Sequence, residues 1–143
     1  PDGSDALVIF EDVFSKEPLT PAVADGDTRW AQAVEWAILS TIQAEELGIT
    51  QDNAEDMQSS DDPTIAQFLG AENVDGQVFD PGLGLPTDFA FQVVSQVGNY
   101  AEIFERNLTE IGIEERGLNA LWSDGACSTP RPTAGQRLIS STP

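Results

Sequence analysis

One run in this chain has the character of a buried strand, and nothing after it does. Ala6 to Phe14 reads ALVIFEDVF, short and rich in branched and aromatic apolar residues. The next stretch, SKEPLTPAV, sets Pro18 and Pro21 where a helix would need free amides, which leaves an extended connector. A lone strand cannot satisfy its own hydrogen-bonding ladder. The sequence therefore predicts one or two N-terminal strands whose sheet neighbours lie outside these 143 residues.

From Asp25 onward the pattern is helical. Asp27 is placed to cap a helix in which Trp30, Val34, Ala37, Ile38 and Ile42 recur at helical spacing until Gly48. Thr50 is placed to cap a short turn through Met57. Asp62 before Pro63 reads as a cap with proline at the first helical position, and Gly70 closes that segment. PGLGLPT, Pro81 to Thr87, is loop. Thr87 then opens a longer stretch with Phe89, Val93, Val97, Tyr100, Phe104 and Leu108 on one side, interrupted or kinked at Gly98-Asn99. A last short helix is expected over roughly Glu114 to Trp122. The fold class is α/β, this chain being mostly α, with four or five helices and no internal repeat.

Charge excludes several partners. All 25 acidic residues lie before Gly125, accompanied only by Lys16, Arg29, Arg106 and Arg116, so residues 1–124 carry −21 and the remainder +2. That field repels phosphate backbones, and there is no basic stripe to displace counterions, so nucleic acid is not a partner. Docking on an anionic membrane surface is disfavoured for the same reason, and solubility is the simplest role for the charge. No apolar run approaches the roughly 18 residues of a spanning helix. Pro1 to Asp5 is a polar loop with no signal-peptide pattern.

The residues offer no chemistry. Histidine is absent, and the one cysteine, Cys127, cannot form an intramolecular disulfide. PDGSD and SSDDP are calcium-loop-like in composition but lack the twelve-residue spacing with a distal bidentate glutamate; they read as caps and solvated acids. Glu45 and Glu46, like Glu114 and Glu115, are adjacent and do not share a helix face, so they read as surface glutamates. A serine or cysteine nucleophile has no base to activate it. LGLG at 82–85 is not a phosphate loop, and the glycosylation triplet at Asn107 sits in helical pattern. No catalytic residue, cofactor or metal site is predicted.

Three stretches are more specific. SKEPLTPAVADGDTRWAQAVEWAI (Ser15 to Ile38), VGNYAEIFERNL (Val97 to Leu108) and RGLNALWSDG (Arg116 to Gly125) occur in this order and spacing. Together they resemble the C-terminal third of the periplasmic solute-binding proteins of polar amino-acid ABC transporters, in particular the general L-amino acid-binding branch. The resemblance covers nearly all of residues 6–125. It implies the C-terminal part of a two-lobed class II periplasmic-binding-protein fold, in which ligand binds in the cleft between lobes. On that pattern residues 1–14 end the second lobe, 15–24 are the interlobe crossover, and 25–125 are the C-terminal helices of the first lobe. Lys16, Glu17, Pro18 and Leu19 would match the hinge, which acts by allowing closure around ligand.

The same resemblance limits the function of these residues. In such receptors an arginine of the first lobe clamps the ligand carboxylate and an aspartate of the second takes the amino group. Both would lie upstream of Pro1, and Asp2 and Asp5 do not match that aspartate, so no ligand-contacting residue carries over. The partners implied for the intact protein are a small-molecule L-amino acid and a membrane permease. A periplasmic monomer without enzymatic activity is expected, and the chain by itself is expected not to bind ligand.

The ending departs from the family pattern. Where the family continues WxxGG(L/I)xYAPPxR, this chain reads WSDGACSTPRPTA. Gly125 to Ala134 can be back-translated as GGG GCC TGC TCT ACG CCC CGC CCT ACC GCN. Read from the third base of the first codon, these bases spell Gly-Leu-Leu-Tyr-Ala-Pro-Pro-Tyr-Arg. Only the wobble positions were free, so residues 126–143 are expected to be out-of-frame translation and a disordered tail. The alternative to the receptor reading is a self-standing acidic helical interaction domain. That alternative requires a cooperatively folded monomer, whereas the receptor reading expects apolar surface left open on the strand and the first helix.

Overall fold

The computed structural model describes residues 21–124, other than 74, 79 and 81. The predicted strand and the hinge residues Lys16, Glu17, Pro18 and Leu19 lie outside the described residues, as does the tail 126–143. Within the described residues the structure is helical, with no strand.

Helix α1 spans Thr28–Glu46 and begins where the sequence places its cap, the Asp27 carboxylate accepting from the Trp30 amide at 2.9 Å. It ends at Leu47-Gly48, where Gly48 adopts φ +67°. Helix α2 (Ala54–Met57) is a single turn. Its entry is a reciprocal pair rather than a simple Thr50 cap: Asn53 Oδ1 accepts from the Thr50 amide, and Thr50 Oγ1 accepts from the Asn53 amide. Helix α3 (Pro63–Phe68) follows the Asp62-Pro63 signal, with Asp62 accepting from the Thr64 amide at 2.8 Å.

The long stretch after Thr87 is two helices, α4 (Phe89–Val97) and α5 (Tyr100–Leu108). They are divided where expected, at Gly98, whose φ of +77° no helix accommodates. The helix expected over 114–122 does not form. Gly117 at φ +49° and Ala120 with ψ 172° break the path into two 3-10 turns, Gly117–Asn119 and Trp122–Asp124.

The core lies where α1, the 47–54 turn, α3 and α4 meet. Ala44, Ile49, Ala54, Leu69 and Val94 are fully buried there, with Leu47, Met57, Ile65, Phe68 and Phe91 packed around them. Burial in α1 is confined to its C-terminal half: Ser40, Thr41 and Ala44 are buried, and no residue from Thr28 to Leu39 is. Trp30 is 57% exposed. The residues of the apolar face predicted for this helix are thus half-buried or exposed, and the helix is buried only near its end.

Candidate functional site

The two motifs in the described part of the chain, GNYAEIFERN and RGLNALW, converge on one side chain. Arg116 forms a bidentate pair with Glu45 of α1: Nη1 donates to Oε1, and Nη2 donates to Oε2 at 2.9 Å. Nη2 also donates to the Asn119 carbonyl at 2.6 Å. The guanidinium lies over two rings of α5, 5.5 Å from the Tyr100 centroid and 5.7 Å from that of Phe104. The Tyr100 hydroxyl bonds Asn119 Oδ1 at 3.3 Å. The hydrogen bonds that Arg116 donates to the Glu45 carboxylate, outweighing the opposing effect of burial, hold its pKa above its already high ordinary value.

This corrects the reading of Glu45 as a surface glutamate, since its side chain is 8% exposed and fully engaged. Adjacent glutamates do not share a helix face, and one of this pair meets an arginine from 71 positions away. Glu46 is also partly enclosed. Its Oε1 is buried without a hydrogen-bond partner, and Gln43 Nε2 reaches Oε2 at 3.4 Å. Burial, and then the charge of Glu45, raise the Glu46 pKa.

A second cluster ties the start of α5 to the 48–53 turn. Asn99 and Glu102 form a capping box, Asn99 Oδ1 accepting from the Glu102 amide at 2.9 Å and Glu102 Oε2 from the Asn99 amide at 2.8 Å. Glu102 also accepts from the Gln51 amide at 3.0 Å, and Asn99 Nδ2 donates to the Ile49 carbonyl at 2.9 Å. Gln51 Nε2 in turn donates to the Ser95 and Gln96 carbonyls at the end of α4. Asn107, of the glycosylation triplet, lies in α5 and donates to the Ile103 carbonyl at 2.7 Å. Among the described residues, no three acidic, cysteine or histidine side chains come together as a metal site would require, and no helix is long and apolar enough to cross a membrane.

The distinctive motifs in the described part of the chain are thus engaged in holding helices together. Comparison supplies the class: the relatives of this chain are amino-acid-binding periplasmic proteins of ABC transporters, and the match lies in the C-terminal part of such proteins. The chain is 45% identical to the general L-amino acid-binding periplasmic protein AapJ of Rhizobium johnstonii over 130 residues, 90% of this chain and 38% of that protein. It is 41% identical to the glutamate/glutamine/aspartate/asparagine-binding protein BztA of Rhodobacter capsulatus over 129 residues, 87% of this chain and 36% of that protein.

A solved ABC-transporter periplasmic binding protein of Brucella ovis, with glutathione bound, superposes with a TM-score of 0.68 at 43% identity. That match covers 77% of this chain and 34% of the other. The chain spans a little over one third of the length of these relatives. No family model matches it. The resemblance read from Ser15 to Gly125 is therefore to the class that comparison finds.

Proposed function

We propose that this chain is the C-terminal portion of a two-lobed periplasmic receptor that delivers L-amino acids to an ABC-transporter permease. Residues 1–14 end the second lobe, 15–24 form the crossover with Lys16 to Leu19 as hinge, and 25–125 are helices of the first lobe. The observation that carries the reading is the 45% identity to AapJ across 90% of this chain, together with the 0.68 TM-score against the Brucella ovis binding protein. The exposure of Trp30 at the start of α1, 57% open, is compatible with it. The protein acts as a receptor and not as an enzyme, in the periplasm, as a monomer.

The helices contribute scaffold and not ligand contacts, since Glu45, Asn99, Glu102 and Arg116 are consumed by partners within the chain. The test is a chimera in which this chain replaces the matching stretch of AapJ, measured by calorimetry with L-glutamate and L-glutamine. Binding within tenfold of intact AapJ is expected. A folded chimera that binds neither amino acid would overturn the receptor reading. The chain alone should bind neither, and micromolar affinity there would overturn its assignment as a portion lacking the clamping groups.

A further inference from the structure

Four Asp-Gly steps occur in the chain, at Asp2, Asp25, Asp75 and Asp124, and two of them have both residues described, Asp25-Gly26 and Asp75-Gly76. At such a step a backbone amide nitrogen can attack the preceding side-chain carboxyl, because glycine has no Cβ to hinder the approach. Both described steps are exposed, and both glycines are left-handed, with φ +93° at Gly26 and +73° at Gly76. They differ in what their amides do.

Asp75-Gly76 is enclosed in a loop built on Asn73. The Gly76 amide donates to the Asn73 carbonyl at 2.9 Å, and Asn73 Oδ1 accepts from the amides of Asp75 and Gln77 at 2.9 and 2.8 Å. The Asn73 amide closes the loop onto the Gln77 carbonyl at 2.7 Å. Asp25-Gly26 is a turn without such ties: among the described residues no acceptor takes the Gly26 amide and no donor reaches the Asp25 carboxylate. The Gly76 nitrogen can meet its neighbour's carboxyl only after the loop opens, whereas the Gly26 nitrogen has no such bond to break.

We propose that Asp25-Gly26 is a spontaneous modification site, at which Asp25 converts to isoaspartate while the folded chain protects Asp75. The Gly26 nitrogen bonds to Asp25 Cγ, the carboxyl C–O bond breaks, and the hydroxyl leaves with the amide proton as water. Water then adds to the backbone carbonyl of the resulting succinimide, and the bond from that carbon to the Gly26 nitrogen breaks. The product has a free α-carboxylate and a backbone one carbon longer, two residues before the Asp27 cap of α1. The site is independent of the receptor reading.

Peptide mapping of the full chain tests it, after prolonged warm incubation at mildly acidic pH. Electron-transfer fragmentation identifies the β-linkage, and methylation by an isoaspartyl methyltransferase gives a second readout. In the folded chain isoaspartate should accumulate at Asp25 about tenfold faster than at Asp75. In urea the two rates should agree within about twofold, because Asp75 accelerates when the Asn73 loop is lost. Asn73→Ala removes the Oδ1 contacts and should raise the Asp75 rate severalfold in the folded chain, leaving Asp25 unchanged. Asp25→Glu keeps the charge and should abolish the methyl label on that peptide. Equal rates at the two steps in the folded chain, or a tenfold difference that persists in urea, would overturn the proposal. So would an Asp75 rate that Asn73→Ala does not change, or methyl label that survives Asp25→Glu.

Discussion

Asn99 is buried and uses both ends of its amide, capping α5 through Oδ1 and closing the Ile49 carbonyl through Nδ2. Asn99→Ala removes a cap, at a cost of about 1 kcal/mol. It also leaves a buried carbonyl unpaired, at a further cost of roughly 1–3 kcal/mol. A loss of about 2–4 kcal/mol in urea unfolding is expected, and Asn99→Ser should recover the capping part. The signal for this residue was present in the sequence, because Asn99 and Glu102 have the spacing of a capping box. On the sequence alone, Gly98-Asn99 marks only a break in the helix. The link to Ile49 could not be read, since it depends on how the 48–53 turn folds back on α5.

Glu46 makes a second prediction, one of sign. Burial and the neighbouring Glu45 charge raise its pKa, so the folded state favours the protonated form. Stability from this group is full below the ordinary glutamate value of 4.5 and is lost as pH rises through the raised folded value. Glu46→Gln, which cannot ionise, should therefore raise the melting temperature at neutral pH. The gain should shrink on acidification and vanish by about pH 4. Melting curves of both proteins across that range check it, and a gain that grows toward acid would contradict the assignment.

At the scale of elements, helix existence was legible and burial was not. The cap at Asp27, the proline at position 63 and the stop at Gly98 are local chemistry, and each appears in the structure at its expected place. The last predicted helix failed because a helix cannot run through Gly117 at φ +49°. A glycine can enter that region where other residues resist it, so the sequence permits the break without requiring it. Gly98 is the opposite case. A Cβ there would sit 2.8 Å from Glu102 Oε2 and 3.2 Å from Glu102 Cβ, in a left-handed backbone that resists any side chain. Gly98→Ala should therefore cost about 1–2 kcal/mol from the backbone alone. It should cost more from the displaced Glu102, which also holds the Gln51 amide. The expected result is a midpoint lowered further than in Gly112→Ala, where the backbone is also left-handed but the space is open.

For the whole molecule, the described core rests on three large fully buried side chains, Ile49, Leu69 and Val94. The class was legible because GNYAEIFERN and RGLNALW are unusual strings; the arginine–glutamate clasp that joins them was not, because Glu45 lies in neither. The same motif logic governs the ending. Residues 126–143 hold no acid, where all 25 acids lie upstream. We propose that these residues are read one base out of frame. The underlying nucleotides should then spell Gly-Leu-Leu-Tyr-Ala-Pro-Pro-Tyr-Arg from the third base of the Gly125 codon, and one base restored to the run of G after the Asp124 codon should return the family ending. The wobble positions decide the matter: Ser128 must use TCT to give the Tyr of the family ending, and Thr129 must use ACG to give its Ala. Sequencing that stretch and finding TCA at Ser128 or ACA at Thr129 would make the tail a true part of this protein.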